Sequence, residues 1–299
     1  MIDKRYSYRE IGQVLGKSAS TICDEIKRNK KKTGKYDPVL AQQKAGVRKS
    51  NASFKGKKII SNIKLRKFVE RSLLDGQTPE AISGRLKNHE QHLANVSIDT
   101  LYKYLQSPYG KLLGLKKKRK KRKYGYKKKL AIKDRKFIDK RPKTVDLRLE
   151  VGDTEGDFIV SGKGGTGILL VVVDRKLRVS FLEIIYKVTI NNIHQSFLNI
   201  KDRFPEMKTI TLDNDILFRK HKTLEKILDV KIYFCRPYHS WEKGSVENVN
   251  KQIRKFIPKG DDLSKYSKDE ILAIETFLND RFMKCLDYQT PLETLKTYR

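Results

Sequence analysis

The sequence predicts a multidomain α/β chain, with a helical N-terminal half followed by a mixed five-stranded sheet and flanking helices. Three observations carry this. Apolar residues recur at helical spacing up to about residue 105, and after Pro142 they gather into strand-length runs. The first three of those runs are joined by short turns, and later ones alternate with helical segments. Between the halves lies KKKRKKRKYGYKKK, residues 116–129, with 11 cations in 14 positions, which cannot bury a core of its own.

Composition narrows the partner. The 299 residues include 67 Lys+Arg against 35 Asp+Glu, a formal net charge of +32. Such a chain repels itself unless it meets a polyanion, and nucleic acid is the natural one because neutralised phosphates release counterions. A hydrophobic content of 38%, with 14 Tyr and 12 Phe, supplies cores and excludes a disordered basic tail. Charge alone leaves a ribosome-associated protein open. Cys23, Cys235 and Cys285 have no paired spacing, which argues against disulfides and a zinc site and fits a reducing cytoplasm. The N-terminus has no apolar signal core, and no apolar run reaches membrane-spanning length. The expectation is a cytoplasmic protein, nucleoid-associated when bound to DNA, with no membrane partner and no small-molecule substrate.

The elements follow in order. In residues 6–29, Ile11, Val14 and Leu15 share a helical face, Gly16 breaks the helix, and Ser18 caps a second helix carrying Ile22 and Ile26. This is a helix-turn-helix plan whose second helix offers Ser20, Thr21, Asp24, Lys27 and Arg28 to DNA. The same offsets suit an ordinary helical hairpin, and the flanking RNKKK favours DNA. Residues 36–50 and 64–75 read as two further helices. Thr78 caps and Pro79 opens a helix with Ile82 and Leu86 inward, and Ser97 caps one with Leu101, Tyr104 and Leu105. This pair resembles a second helix-turn-helix with a long connection, or a plain helical packing unit. Tyr124 and Tyr126 in the basic run suit base stacking or serve as spacers.

Strands follow at GDTEGDFIV, ILLVVVDRKLR and VSFLEIIY. The turn SGKGGTG between the first two lacks the Gly-Lys-Ser/Thr ending of a phosphate loop and precedes a strand, so that reading fails. Residues 189–203 form a helix with Ile193, Phe197 and Ile200 inward. A strand ending at Asp213, a helix at HKTLEKILD, a strand at KIYFC, a long helix to about residue 256 and a last helix over 268–284 complete the chain. The order β-β-β-α-β-α-β-α is that of a ribonuclease-H-like fold.

That order selects three acids. Asp157 lies in the first strand, Asp213 ends the fourth, its neighbour in this topology, and Glu247 sits on the helix after the fifth. Three converging carboxylates repel one another unless Mg²⁺ or Mn²⁺ resolves the repulsion. Two ions about 3.5–4 Å apart would serve in-line displacement at phosphorus. Each acid has a plainer reading: a strand-edge acid for Asp157, an Asx turn for Asp213, and an i,i+4 pair with Lys251 for Glu247. Glu155, on the face of Asp157, is the candidate to support the site from behind, and Asp174 starts a turn. Lys243, Lys251 and Arg254 are candidates to hold phosphates near the scissile bond, and Trp241 to pack the turn.

The segments GDTEGDFIV, LLVVVDRKLR, TLDND, PYHSWEKGSVENVNKQIRKFIPKG and CLDYQTPLE together resemble the insertion sequence 30 family of bacterial transposases. LGKSASTICDEIKRN, TPEAISGRLK and DKRPKTVDLR extend the likeness to nearly the whole chain, and PYHSWEKGSVEN is its most specific part. The resemblance implies an integrase-like catalytic core with an Asp-Asp-Glu triad at Asp157, Asp213 and Glu247. It also implies divalent metal, recognition of terminal inverted repeats, and strand cleavage and transfer to target DNA within a homo-oligomeric complex. Three positions depart from the family: Thr154 replaces a usual Trp, Asp215 the Gly of a tight turn, and His239 a usual Ser. The helix-turn-helix also begins almost at Met1, which suggests truncation or another start. The expected domains are a helix-turn-helix over 1–50, a second helical unit over 60–110, a basic linker over 111–144 and the catalytic core over 145–299. The rival reading is a decayed transposase acting as a DNA-binding repressor, supported by Asp215 and the short N-terminus. A nuclease of the same fold is disfavoured, having little use for two recognition units.

Overall fold

A computed structural model describes residues 6–31, 33–53, 57–115, 134–237 and 239–299, leaving aside the side chains of residues 50–53, 240 and 241. The basic run 116–129, with Tyr124 and Tyr126, and the Trp241 side chain lie outside the described residues.

Helix α1 (Tyr8–Leu15) opens on a capping box between Ser7 and Glu10. It closes at Gly16, which is left-handed at φ 61°. Ser18 then caps α2 (Ala19–Asn29) by accepting from the Thr21 amide. The turn is tight because Gly12 lets the chain fold back: a Cβ there would stand 2.5 Å from the Lys17 carbonyl oxygen. One expectation fails here. Ile11 is buried, but Val14 and Leu15 are 65% and 56% exposed, because α2 crosses α1 at Ile11 and Gly12 and leaves the last turn uncovered among the described residues. Asp37 caps α3 (Pro38–Ser53), whose Arg48 reaches back to the Asn29 side chain at 2.9 Å.

The second helical unit comprises α4 (Lys57–Ser61), α5 (Ile63–Leu74), α6 (Pro79–Asn88), α7 (Ile98–Gln106) and α8 (Pro108–Leu112). Thr78 and Ser97 cap α6 and α7 as their sequence implies, and Ile59, Leu65, Val69, Ile82, Leu86, Leu101 and Tyr104 form its core. After a short helix α9 (Lys143–Asp146) the sheet begins.

Strands β1 (Asp153–Val160), β2 (Ile168–Asp174), β3 (Ser180–Ile185), β4 (Thr209–Leu212) and β5 (Lys231–Phe234) form one five-stranded sheet in the order β3-β2-β1-β4-β5. The pairs β1–β2 and β2–β3 are antiparallel, while β1–β4 and β4–β5 are parallel. This is the ribonuclease-H-like arrangement expected from the element order. Helices α10 (Ile190–Arg203) and α11 (His221–Leu228) cover one face, over a core that includes Leu170, Val172, Phe197, Ile210 and Leu212. Helices α12 (Gly244–Ile253) and α13 (Lys268–Asn279) cover the other, over Leu169, Val171, Val246, Val249 and Ile274. The edge strand β3 is closed by side chains of α13: Glu275 accepts from the Leu182 amide at 2.6 Å, and Asn279 both accepts from and donates to Ser180 at 2.8 Å.

Two helical ends and the last helix of the chain differ from the sequence reading. A 3-10 turn, Ser240–Lys243, precedes α12, whose regular helix stops at Ile253; bonded turns carry the chain on to Ile257, the residue before Pro258. Helix α13 stops at Asn279, held to β3, rather than at 284. A final helix α14 (Pro291–Tyr298) begins at a capping box between Thr290 and Glu293, a signal the sequence carries as TPLE. Among the described residues no helix is long and apolar enough to cross a membrane.

Candidate active site

Side chains alternate along β1, so Glu155 and Asp157 face α12 while Phe158 joins the core under α10. In the parallel pair, Asp153 lies opposite Thr209 and Glu155 opposite Thr211. Two residues further, the same register sets Asp213, the first residue beyond β4, beside Asp157. Their charges are close enough to interact. Burial raises the Asp157 pKa above the ordinary carboxylate value; Lys243 opposes the rise and the Asp213 charge adds to it.

Asp157 is gripped at both oxygens. Lys243 Nζ lies 3.1 Å from Oδ1, and Asn250 Nδ2 donates to Oδ2 at 2.8 Å. Lys243 Nζ also donates to the Gly156 carbonyl at 3.3 Å. Glu155 is fully buried, pairs with Arg175 at 2.6 Å and accepts from the Val246 amide in the first turn of α12 at 2.9 Å. It therefore anchors the helix bearing Glu247 to the strand bearing Asp157. The turn leading into α12 is tied by Glu242, which accepts from the Arg236 amide at 2.8 Å and lies 3.3 Å from His239 Nδ1.

Asp213 accepts from the Asp215 amide at 3.2 Å. Asp215 has φ −78° and caps the next turn by accepting from Leu217, so the left-handed backbone that glycine would favour at this position is not required. Asp174 holds its turn as its sequence suggests, accepting from Lys176 and Leu177, and also from Gly152.

The structure thus brings Asp157 and Asp213 together, with Glu155 behind them. Glu247 stands on the adjoining helix with its carboxylate turned to Lys251 at 3.1 Å and half exposed. Among the described residues no three His, Cys, Asp or Glu side chains are placed to hold an ion. The chemistry of the pair still suits a hard divalent cation. Two partly buried carboxylates lie side by side, and the buried Asn250 Oδ1, on the amide that donates to Asp157, has no hydrogen-bond partner among the described residues. In this arrangement Glu247 pairs with Lys251 and does not complete a three-carboxylate group with the two aspartates among the described residues.

The candidate phosphate-binding cations divide. Lys251 is exposed, and Arg254 is half buried, donates to the Pro258 carbonyl at 3.2 Å and has its pKa lowered by burial. Lys243 is buried on Asp157 instead of standing out where a phosphate could meet it. On α2, Ser20, Thr21, Lys27 and Arg28 lie on one exposed arc, with the Ser20 and Thr21 hydroxyls each 2.8 Å from Ser18 Oγ. Asn250 and Arg175 are site residues the sequence reading passed over. Asn250 was accessible, since it lies three residues after Glu247 on one helical face.

Comparison with known proteins supplies the context. Residues 1–29 match a family model described as a helix-turn-helix domain. The chain is 36% identical over 305 residues to the transposase for insertion sequence element IS4351 of Bacteroides fragilis, covering 99% of this chain and 92% of that one. It is 32% identical over 302 residues to the transposase for IS1086 of Cupriavidus metallidurans, covering 97% and 88%. It is 29% identical over 316 residues to the IS30A transposase of Escherichia coli K12, covering 99% and 80%. Among solved structures, the catalytic core domain of BIV integrase matches 48% of this chain and 94% of its own, at 18% identity and a TM-score of 0.37, a likeness too loose to carry weight. With relatives of this identity along nearly its entire length, the chain belongs to the insertion sequence 30 family of bacterial transposases.

Proposed function

We propose that this transposase cuts and joins DNA at the edge between β1, β4 and α12, with Asp157, Asp213 and Glu247 as its catalytic acids. The observation that supports the reading best is the juxtaposition of Asp157 on β1 with Asp213, just beyond the parallel neighbour β4, next to the helix that carries Glu247. Mg²⁺ or Mn²⁺, probed as two ions, would activate the attacking oxygen and stabilise the leaving one. The residues do the positioning. Asn250 fixes one Asp157 oxygen, Glu155 fixes α12 through its Val246 amide, and Lys251 gives up Glu247 when the site assembles.

The DNA-facing arc of α2 supports recognition of the element's terminal inverted repeats, with Lys27 and Arg28 on phosphates and Ser20 and Thr21 nearer the bases. Lys251 and Arg254 lie along α12 toward the DNA at the scissile bond. Cleavage at an element end frees a 3′-hydroxyl, which attacks target DNA in a second displacement, and pairing two ends calls for a homo-oligomer on DNA.

The test is a duplex carrying an element end, incubated with Mg²⁺ and the full chain. Asp213→Asn should reduce both nicking and joining by about a hundredfold or more while leaving duplex binding within about twofold. Undiminished joining in that variant would sink the assignment. Tight binding of the duplex with no metal uptake by the native chain would favour the repressor reading.

A further inference from the structure

We infer that Lys243 is a positioning residue for Asp157, an internal ammonium that competes with a divalent cation for this carboxylate. The inference rests on the assignment of Asp157 to the catalytic acids.

Lys243 is only 7% exposed, and a buried ammonium persists only where oxygen atoms surround it. Its Nζ finds the Asp157 carboxylate at 3.1 Å and the Gly156 carbonyl at 3.3 Å. A carboxylate and a backbone carbonyl are also the oxygen donors a hard cation selects. The contrast with Lys251 on the neighbouring helix is informative. That lysine is 67% exposed and pairs with Glu247 at the surface, where a phosphate could draw it away. Lys243 has no such freedom, because it closes the 3-10 turn Ser240–Lys243, and Glu242 ties that turn back to Arg236.

Two consequences follow. With Lys243 on Oδ1 and Asn250 on Oδ2, the Asp157 rotamer is set. A divalent ion also meets a site already carrying one positive charge, so removing that charge strengthens cation binding while loosening the carboxylate.

The experiment is calorimetric titration of the DNA-free full chain with MnCl₂. Lys243→Met, which keeps the length of the side chain and removes its charge, should lower the Mn²⁺ Kd by about tenfold or more. It should also lower the Tm without Mn²⁺ and regain most of that loss at saturating Mn²⁺. Lys243→Arg should stay within about twofold of the native affinity, since the charge remains. If Lys243→Met does not fold, Lys243→Gln carries the same expectation. Unchanged or weaker Mn²⁺ affinity in the neutral variant overturns the inference. If Asp157→Asn abolishes Mn²⁺ binding while Lys243→Met leaves it unchanged, only the counter-ion role fails. If Asp157→Asn and Asp213→Asn both bind Mn²⁺ as the native chain does, the catalytic assignment itself fails.

Discussion

Single carboxylates in this molecule do unlike jobs on one sheet. Glu155 spends its two oxygens on a guanidinium and a helix amide, so it ties β1 to α12 from inside the protein. Asp174 is buried at the end of β2, where burial pushes its pKa from 3.8 up to about 6 against the pull of three backbone amides. The folded chain therefore keeps a proton that the unfolded chain releases near pH 4. The stability tied to Asp174 is complete below pH 4 and is lost as pH rises to about 6. Across that window native stability should fall relative to Asp174→Asn by about 3 kcal/mol, measured by urea unfolding at pH 4 and pH 7. A parallel pH course for the two proteins would show that the turn, and not the charge, sets this residue. That Asp157 and Asp213 lie near each other could be read from strand alternation and element order. The place of Lys243 could not: among so many lysines nothing local marks the one whose stem turns inward, and only the tied turn ahead of α12 reveals it.

At the scale of elements, caps and patterns carried most of the fold. Ser18, Thr78 and Ser97 each start the helix their position implies, and the five strands sit where apolar runs fall between turn residues. Ends set by tertiary contacts were less legible. Asn279 stops α13 because it bonds the edge of β3, a contact with a strand 99 residues away. Val14 and Leu15 follow a good helical face, yet the crossing point of α1 and α2 is fixed by a glycine without a side chain. Gly12 therefore governs the N-terminal unit. Gly12→Ala drives a methyl against the Lys17 carbonyl and should weaken binding of an element-end duplex by about tenfold, read by fluorescence anisotropy. The variant should still nick DNA at high protein concentration, because the methyl meets only Lys17 to Ala19 of the same turn and none of the strands.

At the scale of the whole molecule, the second helical unit is fastened to the end of the chain. Arg85 on α6 holds Glu293 through two 2.7 Å bonds and lies 4.9 Å from the centre of the Phe282 ring. Gln77 both donates to the Asp280 carbonyl at 2.8 Å and accepts from the Phe282 amide at 3.0 Å, beside a cleft of about 510 Å³. The Tyr288 ring lies flat on Gly84, where a Cβ would fall 2.2 Å from it. Gly84→Leu should pry the two apart and split one calorimetric unfolding transition into two, with each part still folded. A single unshifted transition would mean that the contact is dispensable. The native fastening makes a ruler of the protein. Were α6 and α7 to engage duplex DNA, the fastening would set a fixed number of base pairs between that stretch and the phosphodiester offered to the acids proposed above. A substrate lengthened by half a helical turn between those points would present the opposite side of the double helix to the acids.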